Sequence, residues 1–161
     1  MTPAQALASD VLERAKVRGV MVALAESCTG GLVSAALTDL AGSSAVMDRG
    51  FVTYTNDAKQ DLLGVKAATL DAHGAVSAQT AREMADGALA RSQAKLAVSI
   101  TGVAGPGGGT AAKPVGLVWF ALAQAGRDTR TVERRFGEVG RAKVRALSVE
   151  TALTLLRDAL G

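Results

Sequence analysis

The stretch Glu26-Ser27-Cys28-Thr29-Gly30-Gly31 sets two hydroxyls and a thiol directly ahead of a glycine pair. Each of these groups can form covalent intermediates when a base activates it. A continuous apolar run over 20–25 precedes the turn and helical spacing over 32–40 follows it, so the turn stands between a buried strand and a helix start. Backbone N–H groups at such a junction can point at an anion, and ligands of open α/β sheets gather at strand carboxyl ends. The same residues also satisfy a purely structural role, with Thr29 capping the helix and the glycines easing the turn. Glu26 requires a cation or a cluster of donors if it is buried. Cys28 reads as a small buried hydrophobe rather than a nucleophile.

A serine nucleophile needs a base. His73, the only histidine, precedes Gly74 in a segment that reads as a loop, which leaves a Ser-His-Asp triad unsupported. Lys59 is the better candidate: Asn56 reads as the cap of a short helix ending at Gly64, with Lys59 in its first turn, where the positive end of the helix dipole lowers an ammonium pKa. Asp57 opposes that shift, and an exposed lysine at its ordinary pKa is the default expectation.

The loop 102–109 is rich in glycine but lacks the Gly-Lys-Ser/Thr ending of a P-loop and leads into a strand, which disfavours ATP hydrolysis. Its glycine spacing does not fit a dinucleotide fingerprint. What remains is a loop whose backbone approaches a ligand closely, or a plain connection. Arg141 and Arg145, one turn apart on the last helix, repel each other unless an anion such as a phosphate sits between them; two solvated arginines are the alternative.

The elements that must position these residues are legible in outline. The helix at 4–18 has a capping box, Thr2 with Gln5, a proline at its first position and Gly19 at its end. Strands are expected near 20–25, 46–54, 95–100, 115–123 and 129–136, the last two joined by a turn near Gly126. Ser77 opens an amphipathic helix, and the helix from Arg141 buries Val149, Ala152, Leu153, Leu156 and Leu160. Strands alternate with helices first and pair as a hairpin later, which gives an α/β domain with a mixed sheet between helical layers.

The 161 residues suit one domain, and only five aromatics leave the core to Ala, Val and Leu. One cysteine and one histidine exclude a disulfide framework and a structural zinc site. No apolar run is long enough to span a bilayer and the N-terminus lacks a secretory pattern, so no membrane is expected and cytoplasm is the expected compartment. The net charge is +3, with seven basic residues against Asp128, Glu133 and Glu138 over 127–145. That stretch suits an acidic ligand or a solvated face. It fits nucleic acid poorly, since Phe136 is its one stacking aromatic.

Five segments in order, Ala25-Glu26-Ser27-Cys28-Thr29-Gly30-Gly31, Ala41-Gly42-Ser43-Ser44, Gly50-Phe51-Val52-Thr53-Tyr54-Thr55-Asn56 with Lys59, His73-Gly74-Ala75-Val76-Ser77, and Thr101-Gly102-Val103-Ala104-Gly105-Pro106, resemble the CinA C-terminal domain family, whose stand-alone members are nicotinamide-nucleotide amidases. The resemblance implies a three-layer α/β/α sandwich with a mixed, mostly parallel sheet. It also implies hydrolysis of nicotinamide mononucleotide to nicotinate mononucleotide and ammonia, without a cofactor or metal, in pyridine nucleotide recycling. By the same resemblance Ser27 is the nucleophile, Lys59 the base and Tyr54 close to both, although Thr29 and Ser44 also offer hydroxyls. Glu26, Thr29, Gly30, Gly31, Ser44, Thr101 and Gly102 are then expected to surround the small-molecule nucleotide substrate, with Arg141 and Arg145 on its phosphate. A homodimer would be unsurprising. The competing readings are a nucleotide-binding module without efficient hydrolysis and, from the family's association with competence, a DNA-associated protein.

Overall fold

A computed structural model describes residues 1–161. The first helix, α1 (Pro3–Arg18), opens with the Thr2/Gln5 capping box and closes at Gly19. Then come β1 (Val22–Glu26), buried at every position, α2 (Leu32–Thr38), a 3-10 turn (Ser43–Ala45) and β2 (Met47–Val52). Three helices, α3 (Asn56–Leu63), α4 (Ala67–His73) and α5 (Ala78–Ala90), lead to β3 (Leu96–Gly102). The hairpin of β4 (Leu117–Gln124) and β5 (Arg130–Arg135) precedes α6 (Arg141–Leu160), which buries the apolar face expected of it.

The strands form one sheet in the order β2-β1-β3-β4-β5. β1 pairs in parallel with both β2 and β3, whereas β3 with β4 and β4 with β5 are antiparallel. The sheet is therefore mixed, with two parallel and two antiparallel pairings, and four of its five strands run the same way. The glycine-rich loop carries no crossover helix, so β4 returns alongside β3 in the opposite direction, as a parallel partner could not.

Side chains on β1 alternate between two cores. Leu24 faces the layer of α1, α2 and α6, while Ala23 and Ala25 face α3, α4 and α5. Alanines continue across that second face at Ala97, Ala121 and Ala123, which lets α5 lie close to the sheet. From β1 the chain reaches β2 on one side and then crosses to β3 on the other. The carboxyl end of β1 is thus the point where strand order reverses, the place such sheets reserve for ligands.

Two local expectations are corrected. Thr55, not Asn56, caps α3, its hydroxyl accepting from Ala58 N–H at 3.0 Å. His73 ends a helix rather than lying in a loop. No side chain of α4 caps its own start; Glu83 of α5 does so across the layer, accepting from Lys66 N–H at 2.8 Å and Thr69 Oγ1 at 2.5 Å.

Candidate active site

Sheet pairing continues one step past the strands and fixes the turn after β1. Ser27 N–H donates to Ile100 O at 2.9 Å and Thr53 N–H to Glu26 O at 2.8 Å, so Ser27 is held between the ends of β2 and β3. Glu26 points toward α2, and alternation along the strand sends Ser27 to the opposite face, where α3 brings Lys59. Lys59 Nζ lies 3.0 Å from Ser27 Oγ, 2.9 Å from Thr53 O and 3.2 Å from Tyr54 O.

Lys59 is 1% exposed. The expectation of an exposed lysine at ordinary pKa is therefore overturned. Burial pushes its pKa down to about 8, against a smaller opposing pull from Cys28. A neutral amine has two N–H donors and one lone pair. As an ammonium, Nζ donates to Thr53 O, Tyr54 O and Ser27 Oγ; once deprotonated, its two N–H groups can keep the carbonyls, which turns the lone pair toward Ser27 Oγ. Cys28, beside Ser27, is buried, and burial pushes its thiol up to about 11, so it stays protonated at neutral pH.

Within the turn, Gly30 N–H donates to Ser27 O and Leu32 N–H to Thr29 O. The N–H groups of Cys28, Thr29 and Gly31 find no acceptor on another residue. Gly30 and Gly31 both take positive φ, +57° and +105°, the bend that brings α2 in directly behind the turn. Thr29 does not cap α2; its hydroxyl is buried without a partner, as is that of Thr53.

Arg145 reaches the turn from α6. Its Nε donates to Cys28 O at 3.1 Å and Nη2 to Thr29 O at 3.3 Å. A trans peptide directs its N–H away from its C=O, so holding Cys28 O aims Thr29 N–H to the other side. Arg141 donates to Gly105 O at 2.9 Å and to Tyr54 Oη at 3.0 Å. Tyr54 is 59% exposed; it meets Lys59 through its carbonyl and Arg141 through its hydroxyl. A cavity of about 280 Å³ opens beside Arg141, lined by Ala104, Pro106, Val115, Glu138 and Gly140. A larger one of about 520 Å³ lies at the carboxyl ends of α1 and α6, and its lining, which includes Glu13, Arg14 and Arg18, holds no serine, cysteine or lysine.

Thr101 and Gly102 end β3 next to the turn, but Thr101 Oγ1 is tied to Ala75 O at 2.9 Å. A side chain at Gly102 would stand 2.6 Å from Val118 and 2.8 Å from Leu117 O, so the glycine serves strand packing. Ser44 is not brought to the site. It precedes β2, at the amino end of a sheet whose carboxyl end carries Ser27, about 16 Å away at the rise of a strand. His73 is exposed, and its carbonyl accepts from Lys113 Nζ. Thr53 and Gly105, which supply carbonyls to Lys59 and Arg141, were missed from sequence because a carbonyl contact leaves no side-chain signal. No three His, Cys, Asp or Glu side chains stand where they could hold a metal, and no helix is long and apolar enough to cross a membrane.

The model of the CinA C-terminal domain matches residues 4–160. The chain is 52% identical over 143 residues to the nicotinamide-nucleotide amidohydrolase PncC of Enterobacter agglomerans, covering 86% of each. To the PncC of Escherichia coli K12 it is 56% identical over 119 residues, 74% of this chain and 72% of that one. Among solved structures, the competence/damage inducible protein CihA from Agrobacterium tumefaciens superposes with a TM-score of 0.96 at 54% identity, over 99% of this chain and 96% of that one. The chain belongs to the CinA C-terminal domain family.

Proposed function

We propose that this protein hydrolyses the carboxamide of nicotinamide mononucleotide, giving nicotinate mononucleotide and ammonia, with Ser27 as nucleophile and Lys59 as general base. The buried Lys59 Nζ at 3.0 Å from Ser27 Oγ carries this reading. The names of the PncC relatives support the substrate.

Neutral Lys59 takes the Ser27 proton as Oγ attacks the amide carbon. The N–H groups of Thr29 and Gly31, which no acceptor claims, receive the oxyanion of the tetrahedral intermediate, while Cys28 N–H faces its own thiol. The Lys59 ammonium returns the proton to the departing nitrogen, and ammonia leaves an ester on Ser27. Water then attacks that ester, Lys59 accepts its proton, and nicotinate mononucleotide departs as Ser27 regains its hydrogen. Arg141, in the first turn of α6 beside the 280 Å³ cavity, meets the substrate phosphate. Arg145 and Glu26 are committed to backbone groups of the turn and of α2, so their part is to hold the site.

Ammonia release from nicotinamide mononucleotide is the test. Wild type should liberate it and Ser27→Ala should not. Nucleotide binding without ammonia would favour the module reading instead.

A further inference from the structure

We propose that Glu26 is a positioning residue for this reaction: its buried carboxylate holds the first turn of α2, so that the amides of the Ser27 turn stay free to receive the oxyanion. The inference rests on the Ser27/Lys59 reading above.

A helix start leaves N–H groups without partners, and a side chain at the cap ordinarily accepts from them. Here the cap position is Gly31, which has no side chain to offer. Glu26 does the work from the end of β1. Its Oε1 accepts from Val33 N–H at 3.0 Å, and Oε2 accepts from Ser34 N–H at 3.0 Å and Ser34 Oγ at 2.7 Å. The residue has no exposed surface. A carboxylate tolerates that only with such a donor set, and these charge-assisted bonds are among the stronger ones a protein makes.

The consequence falls on Ser27, the next residue. Sheet pairing on one side and Glu26 on the other clamp the backbone where the nucleophile begins, while α2 is clamped where the turn ends. Between the clamps lie the unpaired amides of Thr29 and Gly31. Were α2 capped from within the turn, by the Thr29 hydroxyl for example, the turn would have to bend back onto the helix and its amides would reorient. Capping from β1 leaves them alone. The contribution is geometric rather than electrostatic, since a carboxylate near the turn opposes a developing oxyanion. The two effects therefore predict opposite signs when the charge is removed.

Glu26→Gln keeps the shape but turns an NH2 toward one of the N–H donors. In the full chain, kcat for nicotinamide mononucleotide should fall about 10- to 100-fold across the pH range, with KM within about 2-fold of wild type. The midpoint of the pH–rate profile should not move. A rise in kcat, an unchanged kcat per folded molecule, a loss confined to KM, or a displaced midpoint would each overturn the proposal. Ser34→Ala removes one donor and leaves both N–H bonds, so a smaller loss in kcat at unchanged KM is expected; no loss there would also count against it, even if the glutamine variant fails to fold. Ser27→Ala run alongside separates the two layers, because activity in that variant sinks the nucleophile reading itself.

Discussion

Lys59 Nζ lies 3.0 Å from Ser27 Oγ although thirty-two residues separate them in the chain. β1 delivers the serine and α3 the lysine. The carbonyls of Thr53 and Tyr54 accept from the same amine, so in the proposed mechanism its neutral form has a lone pair left for the serine proton.

That pairing fixes a pH dependence. With the Lys59 pKa lowered to about 8 by burial, kcat/KM should rise with pH through about 8, on a single limb. Lys59→Arg supplies a group that stays protonated in proteins, so it should lose about 100- to 10,000-fold, as much as Lys59→Ala. Rate profiles of the three proteins decide it: partial rescue by arginine would make Lys59 an anchor for substrate charge rather than a base.

The same shift has a stability signature. Burial lowers the Lys59 pKa to about 8 in the folded chain, against about 10.4 for a free lysine in the unfolded one, so between these pH values the unfolded chain binds more protons. The burden of a protonated buried lysine is complete below pH 8 and is relieved as pH rises toward 10.4. Relative to the non-titrating Lys59→Met, wild type should gain stability across that window. Denaturant unfolding at pH 7, 9 and 10.5 measures it, and parallel curves would mean that Lys59 is not buried in solution.

The site was more legible in sequence than the way it is held. Strand, turn and helix around Ser27 followed from an apolar run ending at Glu26 and from Gly30-Gly31, because strand burial and turn chemistry are local. The cap of α4 came from Glu83, seventeen residues beyond the amide of Lys66 that it accepts, and no local pattern marks such a bond. Burial of Lys59 was hidden for a related reason. Asp57 beside it favours a charged, exposed lysine, and only the packing of α3 against the sheet ends removes the amine from water. Charge and spacing leave Arg145 open to a phosphate or to solvent, and its bonds to the carbonyls of Cys28 and Thr29 leave no mark in the sequence.

Close approach of α3 to α5 is what holds Lys59 in place. A Cβ at Gly87 would lie 2.0 Å from Leu63 O, a backbone atom that moves only if α3 moves. Gly87→Ala should therefore destabilise the fold by about 1–3 kcal/mol, the overlap outweighing the roughly 1 kcal/mol that alanine gains in a helix. A denaturant midpoint equal to or above wild type would show that the two helices are further apart than described.

The two arginines of α6 should separate kinetically. Arg141 contacts only Gly105 O and the exposed Tyr54 hydroxyl beside an open cavity, so substrate phosphate can recruit it in the ground state and the transition state alike. Removing such uniform binding raises KM and leaves kcat nearly unchanged. Arg145 grips the carbonyls of Cys28 and Thr29 and so sets the direction in which Thr29 N–H points. Its loss should misplace an oxyanion donor, lowering kcat by about 10- to 1,000-fold with little change in KM. Arg141→Ala and Arg145→Ala assayed with nicotinamide mononucleotide give the split directly. A KM effect for Arg145→Ala equal to that of Arg141→Ala would return both residues to the phosphate and leave the turn to be held by Glu26 alone.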